Sequence, residues 1–145
     1  MPVKLDDLHE AYVFVESSGF VEHLAFVHRP TGAIWFWSED LGWLDEDGPE
    51  GIEDPGRLGE DYVPVPGRHE LALGSRLVRE FVDRRIPEEA GRVAAFFRRK
   101  GAYRRFKAFL EERGLLDDWH RFEEEAQKEA LRAWAEREGI ELLEE

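Results

Sequence analysis

The chain has 145 residues, 33 acidic and 20 basic side chains, and a formal net charge of −13. Its length suits one domain, and its aromatic content of 12% excludes a wholly disordered chain. The sequence contains no cysteine, which excludes a disulfide framework, a zinc–thiolate site and a cysteine nucleophile. The negative charge also disfavours general DNA binding, because nucleic acids are bound by cationic surfaces.

The sequence also carries signals about location and host. Its first residues lack the basic and apolar regions of a signal peptide, and no apolar run approaches the ~20 residues of a membrane span. We therefore expect a cytoplasmic protein with no membrane partner. The chain has no Asn, and Arg far outnumbers Lys. A heat-adapted host and a GC-rich genome both produce this bias.

Residues 5–38 predict a helix followed by a hairpin. Apolar residues at helical spacing indicate a short helix over residues 5–12. Residues 21–28 and 33–38 are rich in β-branched and aromatic residues, and the segment Arg29-Pro30-Thr31-Gly32 between them is a turn sequence. These two segments therefore predict an antiparallel hairpin.

The next two segments predict a loop and an edge strand. Residues 39–61 hold ten acids, five Gly and two Pro, so like-charge repulsion and chain breakers favour an exposed coil. Residues 62–66 contain two prolines, which cannot donate ladder hydrogen bonds and therefore suit the edge of a sheet.

The C-terminal half of the chain is typical of a helical region. Residues 67–145 predict about four helices, which are separated by Pro87, Gly101 and Gly114 and ended by Gly139. Gly101 is expected in the left-handed conformation that closes many helices.

Together these elements predict an α+β fold. A small antiparallel sheet, made of the hairpin and the short edge strand, packs against about four C-terminal helices. We predict a single domain over residues 1–145, with a sheet-forming half at 1–66 and a helical half at 67–145. Residues 140–143 predict a short strand at the end of the chain.

The second strand of the hairpin carries large apolar side chains on both faces. Alternation puts Trp35 and Trp37 on one face and Ile34 and Phe36 on the other. Either helices cover both faces, or the face with the two Trp residues is an exposed docking surface. As a docking surface, the two indoles could stack on bases or bind a peptide.

One segment departs from the acidic composition. Residues 90–110 carry seven basic side chains and no acid, whereas the rest of the chain carries 13 basic and 33 acidic side chains. Six of the seven lie close to Gly101. We call these six residues the basic patch: Arg98, Arg99, Lys100, Arg104, Arg105 and Lys107.

The basic patch surrounds a predicted junction between two helices. Cations are favoured at the end of a helix, where residues 98–100 are expected, and disfavoured in a first turn, where Arg104 and Arg105 are expected. The free backbone N–H groups of a first turn also attract anions. The junction therefore requires a counter-anion. The protein's own acids, a phosphate-bearing ligand or an acidic protein partner could each supply it.

Known catalytic patterns are missing from the sequence. It has no phosphate-binding glycine loop and no serine in a nucleophile elbow. His23 and His28 fall on opposite faces of one predicted strand, so they cannot share a metal. His69 and His120 are candidates for acid–base chemistry, although each also fits a plain surface position. We therefore assign no catalytic residue, no metal site and no cofactor.

The run Lys100-Gly101-Ala102-Tyr103-Arg104-Arg105-Phe106-Lys107 resembles the Gly-Ala-Phe-Arg-Arg-Phe-Lys signature of an uncharacterised bacterial protein family. Weaker similarity extends to Leu5-Asp6-Asp7-Leu8, to the Thr31-Gly32 turn and to Trp119-His120-Arg121-Phe122. Tyr103 replaces the usual Phe of the family, and His120 replaces a usual Tyr. The resemblance implies a small bacterial α+β protein, and it implies no activity, cofactor or catalytic residue.

The sequence leaves three functions open. The first is a non-enzymatic binding protein whose basic patch contacts an anion, with Trp35 and Trp37 as docking groups. The second is an enzyme acting on a phosphorylated or nucleotide substrate, with His69 or His120 as acid or base, which needs a pocket that brings a histidine near the arginines. The third is a purely structural patch paired with the protein's own acids, which needs carboxylates close to the patch.

Overall fold

The computed structural model describes residues 2–44, 48–49 and 51–144. These residues form five α-helices and six β-strands, which confirms the predicted α+β class and the four C-terminal helices. In chain order the elements are β1 (Val3–Lys4), α1 (Leu5–Glu16), β2 (His23–His28), β3 (Ile34–Ser38), β4 (Gly42–Trp43), β5 (Tyr62–Pro64), α2 (Ser75–Arg85), α3 (Ala90–Phe96), α4 (Ala102–Glu112), α5 (Leu116–Glu138) and β6 (Leu142–Leu143).

The central sheet is antiparallel and four-stranded, in the order β4-β3-β2-β5. The predicted hairpin is confirmed, because β2 pairs with β3 and sets Phe26 opposite Trp35. Gly32 has a φ of 74°, a left-handed conformation that a residue without Cβ adopts at no steric cost. The predicted edge strand is β5, which pairs with β2 and places Pro64 at the sheet edge.

The segment predicted as an acidic loop contains two short regular elements. These are β4 and a 3-10 helix at Pro55–Arg57, which Asp54 caps by accepting a hydrogen bond from the Gly56 N–H. The acids at 45–47 and at position 50 lie outside the described residues. The predicted strand at the end of the chain is β6, which pairs in parallel with β1.

The chain divides into two compact units. Unit 1 comprises residues 1–72 and 128–145, and unit 2 comprises residues 73–127. Unit 1 therefore includes the end of α5 and β6 as well as the central sheet. The prediction of a single domain stays a prediction.

In unit 1, α1 covers one face of the sheet. Leu8 is 0% exposed on this helix, and the Phe14 ring meets Phe36 of β3 edge-on with centroids 5.2 Å apart. The Phe14 ring also stacks on His23 of β2 at 4.5 Å. His28 instead contacts the ring of Trp35 on the opposite face, which confirms that the two histidines diverge.

In unit 2, the core is a cluster of aromatic rings. The Phe106 ring of α4 packs edge-on against Trp119 of α5 at 5.1 Å, and Phe81 of α2 packs against the same indole at 5.4 Å. All three side chains are buried. Apolar residues at helical spacing in three helices therefore meet around one tryptophan.

Ion pairs at the surface of unit 2 give one prediction about pH. Asp118 accepts hydrogen bonds from Arg85, at 2.8 Å, and from Arg121, and these bonds lower the pKa of Asp118 below its ordinary 3.8. The folded state therefore favours the ionised form. The ionised Asp118 therefore stabilises the folded state at a pH above its ordinary pKa. This stabilisation is lost as the pH falls through the lowered pKa of the folded state.

We expect Asp118→Asn to reduce the melting temperature at neutral pH, because the arginines lose their charged acceptor. This difference from the wild type should shrink as the pH falls below about 4. Thermal melts followed by circular dichroism across this pH range measure it. Asp117→Asn is the matched control, since Asp117 is exposed and forms no ion pair with a described residue. A pH-independent difference would contradict the assignment.

Candidate anion-binding site

All six residues of the basic patch lie in unit 2, where α3 connects to α4. Arg98, Arg99 and Lys100 were expected to end a helix, but α3 ends earlier, at Phe96. The chain tightens there into three-residue turns. The N–H groups of Arg98 and Arg99 each donate a hydrogen bond of 3.4 Å to the carbonyl three positions earlier. These three residues therefore occupy the connection between the helices.

Gly101 makes the connection possible and gathers two arginines beside it. Its φ of 76° confirms the predicted left-handed conformation. A Cβ built on Gly101 would lie 3.7 Å from Nη2 of Arg104 and 4.0 Å from Nη2 of Arg105. Both guanidinium groups therefore fold back from the first turn of α4 toward the same glycine.

The patch carries little internal compensation for its charge. Five of its six side chains are exposed, and Arg105 is half-buried and donates one long hydrogen bond of 3.4 Å to the Phe96 carbonyl. Nine ion pairs join described side chains, and none of them involves a basic-patch residue. The structural alternative therefore has no ion pair to support it within the described residues.

The N-terminus of α4 adds positive potential to the patch. Its first turn contains no acidic residue, and Gly101 has no side chain to cap the helix. The first N–H groups of a helix have no carbonyl partner inside it, and they carry the positive end of the helix dipole. A multiply charged anion placed beside Gly101 would meet both these groups and the two guanidinium groups.

The two candidate histidines are both exposed. His69 is exposed in unit 1. His120 is exposed on α5 in unit 2 and does not line the cavity between α2 and α3, which contains no histidine and no basic-patch residue. Across the described ranges, no three His, Asp or Glu side chains gather closely enough to hold a metal ion. The enzyme alternative stays a prediction, since no hydrogen bond or ring contact among the described residues joins either histidine to the basic patch.

The docking candidates Trp35 and Trp37 lie in unit 1 and are both half-buried. Trp35 belongs to a cluster of rings on its own sheet face, 5.3 Å from His28, 5.1 Å from Tyr62 and 6.4 Å from Trp43 between ring centroids. Trp37 makes no ring contact with a described residue. Rings of the same sheet therefore cover part of this face.

Comparison of the chain with protein-family models, with curated proteins and with solved structures finds no match. The family resemblance therefore stays a prediction. Among the described residues, no helix combines the length and the apolar character needed to cross a membrane.

Proposed function

We propose that this chain is a non-enzymatic binding protein whose basic patch holds a small phosphate-bearing ligand. One observation carries the proposal. Six basic side chains lie between the end of α3 and the middle of α4, and none of them pairs with a described acid. Buried-core packing does not account for this cluster, because five of the six are exposed.

The chemistry of the patch favours phosphate. Arg104 and Arg105 present planar guanidinium groups that bind phosphate oxygens through paired N–H donors. The backbone N–H groups at the start of α4 add donors of the same kind. A phosphate group beside Gly101 would also offset the repulsion between these arginines and the positive end of the helix.

The charge of the rest of the chain favours a small ligand over a polymer. Outside residues 90–110 the chain carries 33 acidic and 13 basic side chains. Charges act over about 10 Å at moderate ionic strength, so a long nucleic acid or an acidic protein would also meet this negative surface. A compact anion remains within the patch. The predicted cytoplasmic location and the predicted bacterial family are part of this proposal.

Titration with sodium tripolyphosphate at low ionic strength tests the proposal by isothermal titration calorimetry. We expect saturable binding that weakens with added salt. The double variant Arg104→Gln, Arg105→Gln should weaken binding by about tenfold or more, since charge-assisted hydrogen bonds contribute about 1.5–3 kcal/mol each. The double variant Arg57→Gln, Arg137→Gln removes the same charge elsewhere and should bind as the wild type does.

The same variants distinguish ligand binding from internal pairing. Arg104 and Arg105 have no described acidic partner, so their loss should leave the melting temperature at low salt unchanged or raise it. A clear fall in the melting temperature would show that the patch is paired within the protein. Equal binding by the two double variants would also overturn the proposal.

A further inference from the structure

A second candidate site lies in unit 2, between α2 and α3. The two helices line a cavity of about 480 Å³ that is partly open to solvent. Small-molecule sites typically occupy ~300–1,000 Å³ and combine an apolar lining with a few polar groups. No basic-patch residue lines this cavity, so it is a separate feature from the site proposed above.

The floor of the cavity is apolar and held in place by the core. Val78 and Val82 of α2 and Val93 of α3 line it and are all buried. Phe97 completes the wall, and its ring is fixed edge-on against Tyr103 at 5.1 Å. A branched aliphatic or aromatic side chain would therefore find a preformed apolar surface.

The rim of the cavity carries two opposite charges that do not pair with each other. Arg79 and Asp83 both line it, one helical turn apart on α2, and neither forms an ion pair with a described residue. Oppositely charged residues at this spacing lie close enough on a helix to pair. Arg76 and Glu80 of the same helix have the same spacing, and their charged groups do pair, at 3.5 Å. Arg79 and Asp83 are thus available to a ligand.

We propose that this cavity binds a free α-amino acid with an apolar side chain. The ligand's side chain packs on the valine floor, its carboxylate meets Arg79 and its ammonium group meets Asp83. The helix dipole favours the ammonium group at Asp83, since Asp83 lies in the last turn of α2, near its negative C-terminus. Each charge on the rim then has a partner, and the ligand's net charge is zero.

Ligand-detected NMR and calorimetry with L-leucine test this proposal, with L-phenylalanine as a second probe. We expect saturable binding of both amino acids. Isopentylamine lacks the carboxylate of leucine, and 4-methylpentanoate lacks its ammonium group. Each should bind about tenfold more weakly or worse, because one charged rim group then loses its partner.

Single variants assign the two charges. Asp83→Asn should weaken the binding of leucine by about tenfold and leave the binding of 4-methylpentanoate unchanged. Arg79→Gln should also weaken the binding of leucine by about tenfold, and it should leave the binding of isopentylamine unchanged. Ala94 is exposed and lines the cavity, so Ala94→Phe should fill it and abolish binding. Ala95→Phe is the matched control, because Ala95 is exposed on the same helix and does not line the cavity.

Three results would overturn the proposal. They are the absence of saturable binding by both amino acids, equal binding of leucine and its two analogues, and unchanged binding in Ala94→Phe. Circular dichroism of Ala94→Phe and Ala95→Phe should show equal helix content. Tripolyphosphate binding should be unaffected by Ala94→Phe, so this proposal and that for the basic patch can fail separately.

Discussion

Replacing Phe106 with alanine is expected to lower the free energy of unfolding by about 3–5 kcal/mol. Phe106 is 0% exposed, and its ring contacts those of Trp119 at 5.1 Å and Phe97 at 6.1 Å. The truncation removes the burial of a whole ring and leaves a cavity that three helices cannot close by small movements. The loss of edge-on contact with Trp119 adds to this cost.

Urea denaturation followed by tryptophan fluorescence measures the effect of Phe106→Ala, because Trp119 lies beside the space that the missing ring leaves. Phe20→Ala is the matched control, since the Phe20 side chain is 108% exposed. We expect the control to change stability by less than about 0.5 kcal/mol. A similar small change for Phe106→Ala would show that the aromatic core of unit 2 is not packed as described.

Local signals in the sequence predicted the elements of the fold well. The hairpin follows from a turn sequence between two apolar segments, and the left-handed Gly101 follows from a glycine between two helical patterns. Both depend on residues that are close in the chain. The short length of α3 was not predicted, because apolar spacing continues to Phe97 while the backbone has already tightened into three-residue turns.

The composition located the basic patch but did not determine its partners. Ion pairs in this protein often join distant parts of the chain, as Arg68–Glu16 and Lys128–Asp6 do. No spacing rule predicts which acids approach which arginines when the two are far apart in the chain. The same reason explains why the α2–α3 cavity was missed. Arg76 and Glu80 have the same spacing in the sequence as Arg79 and Asp83. Only the structure shows that Arg79 and Asp83 line a cavity and form no ion pair with each other.

Replacing Leu8 with alanine should destabilise unit 1 by about 2–5 kcal/mol. Leu8 lies on α1 and is 0% exposed. Its side chain is wholly removed from water, and a shorter side chain leaves some of the neighbouring atoms without contacts. Val13→Ala on the same helix is the control, because Val13 is 50% exposed and should lose less than about 0.5 kcal/mol.

The two core variants together test whether the chain is one domain. Leu8 lies in unit 1 and Phe106 in unit 2, while residues of α5 belong to both units. A segment of the size of unit 2 buries only about 60% of its unfolded surface, so it is marginally stable alone. We therefore expect each variant to shift one shared unfolding transition, measured both by tryptophan fluorescence and by far-ultraviolet circular dichroism. Two separated transitions, each moved by only one variant, would show instead that the units are independent domains.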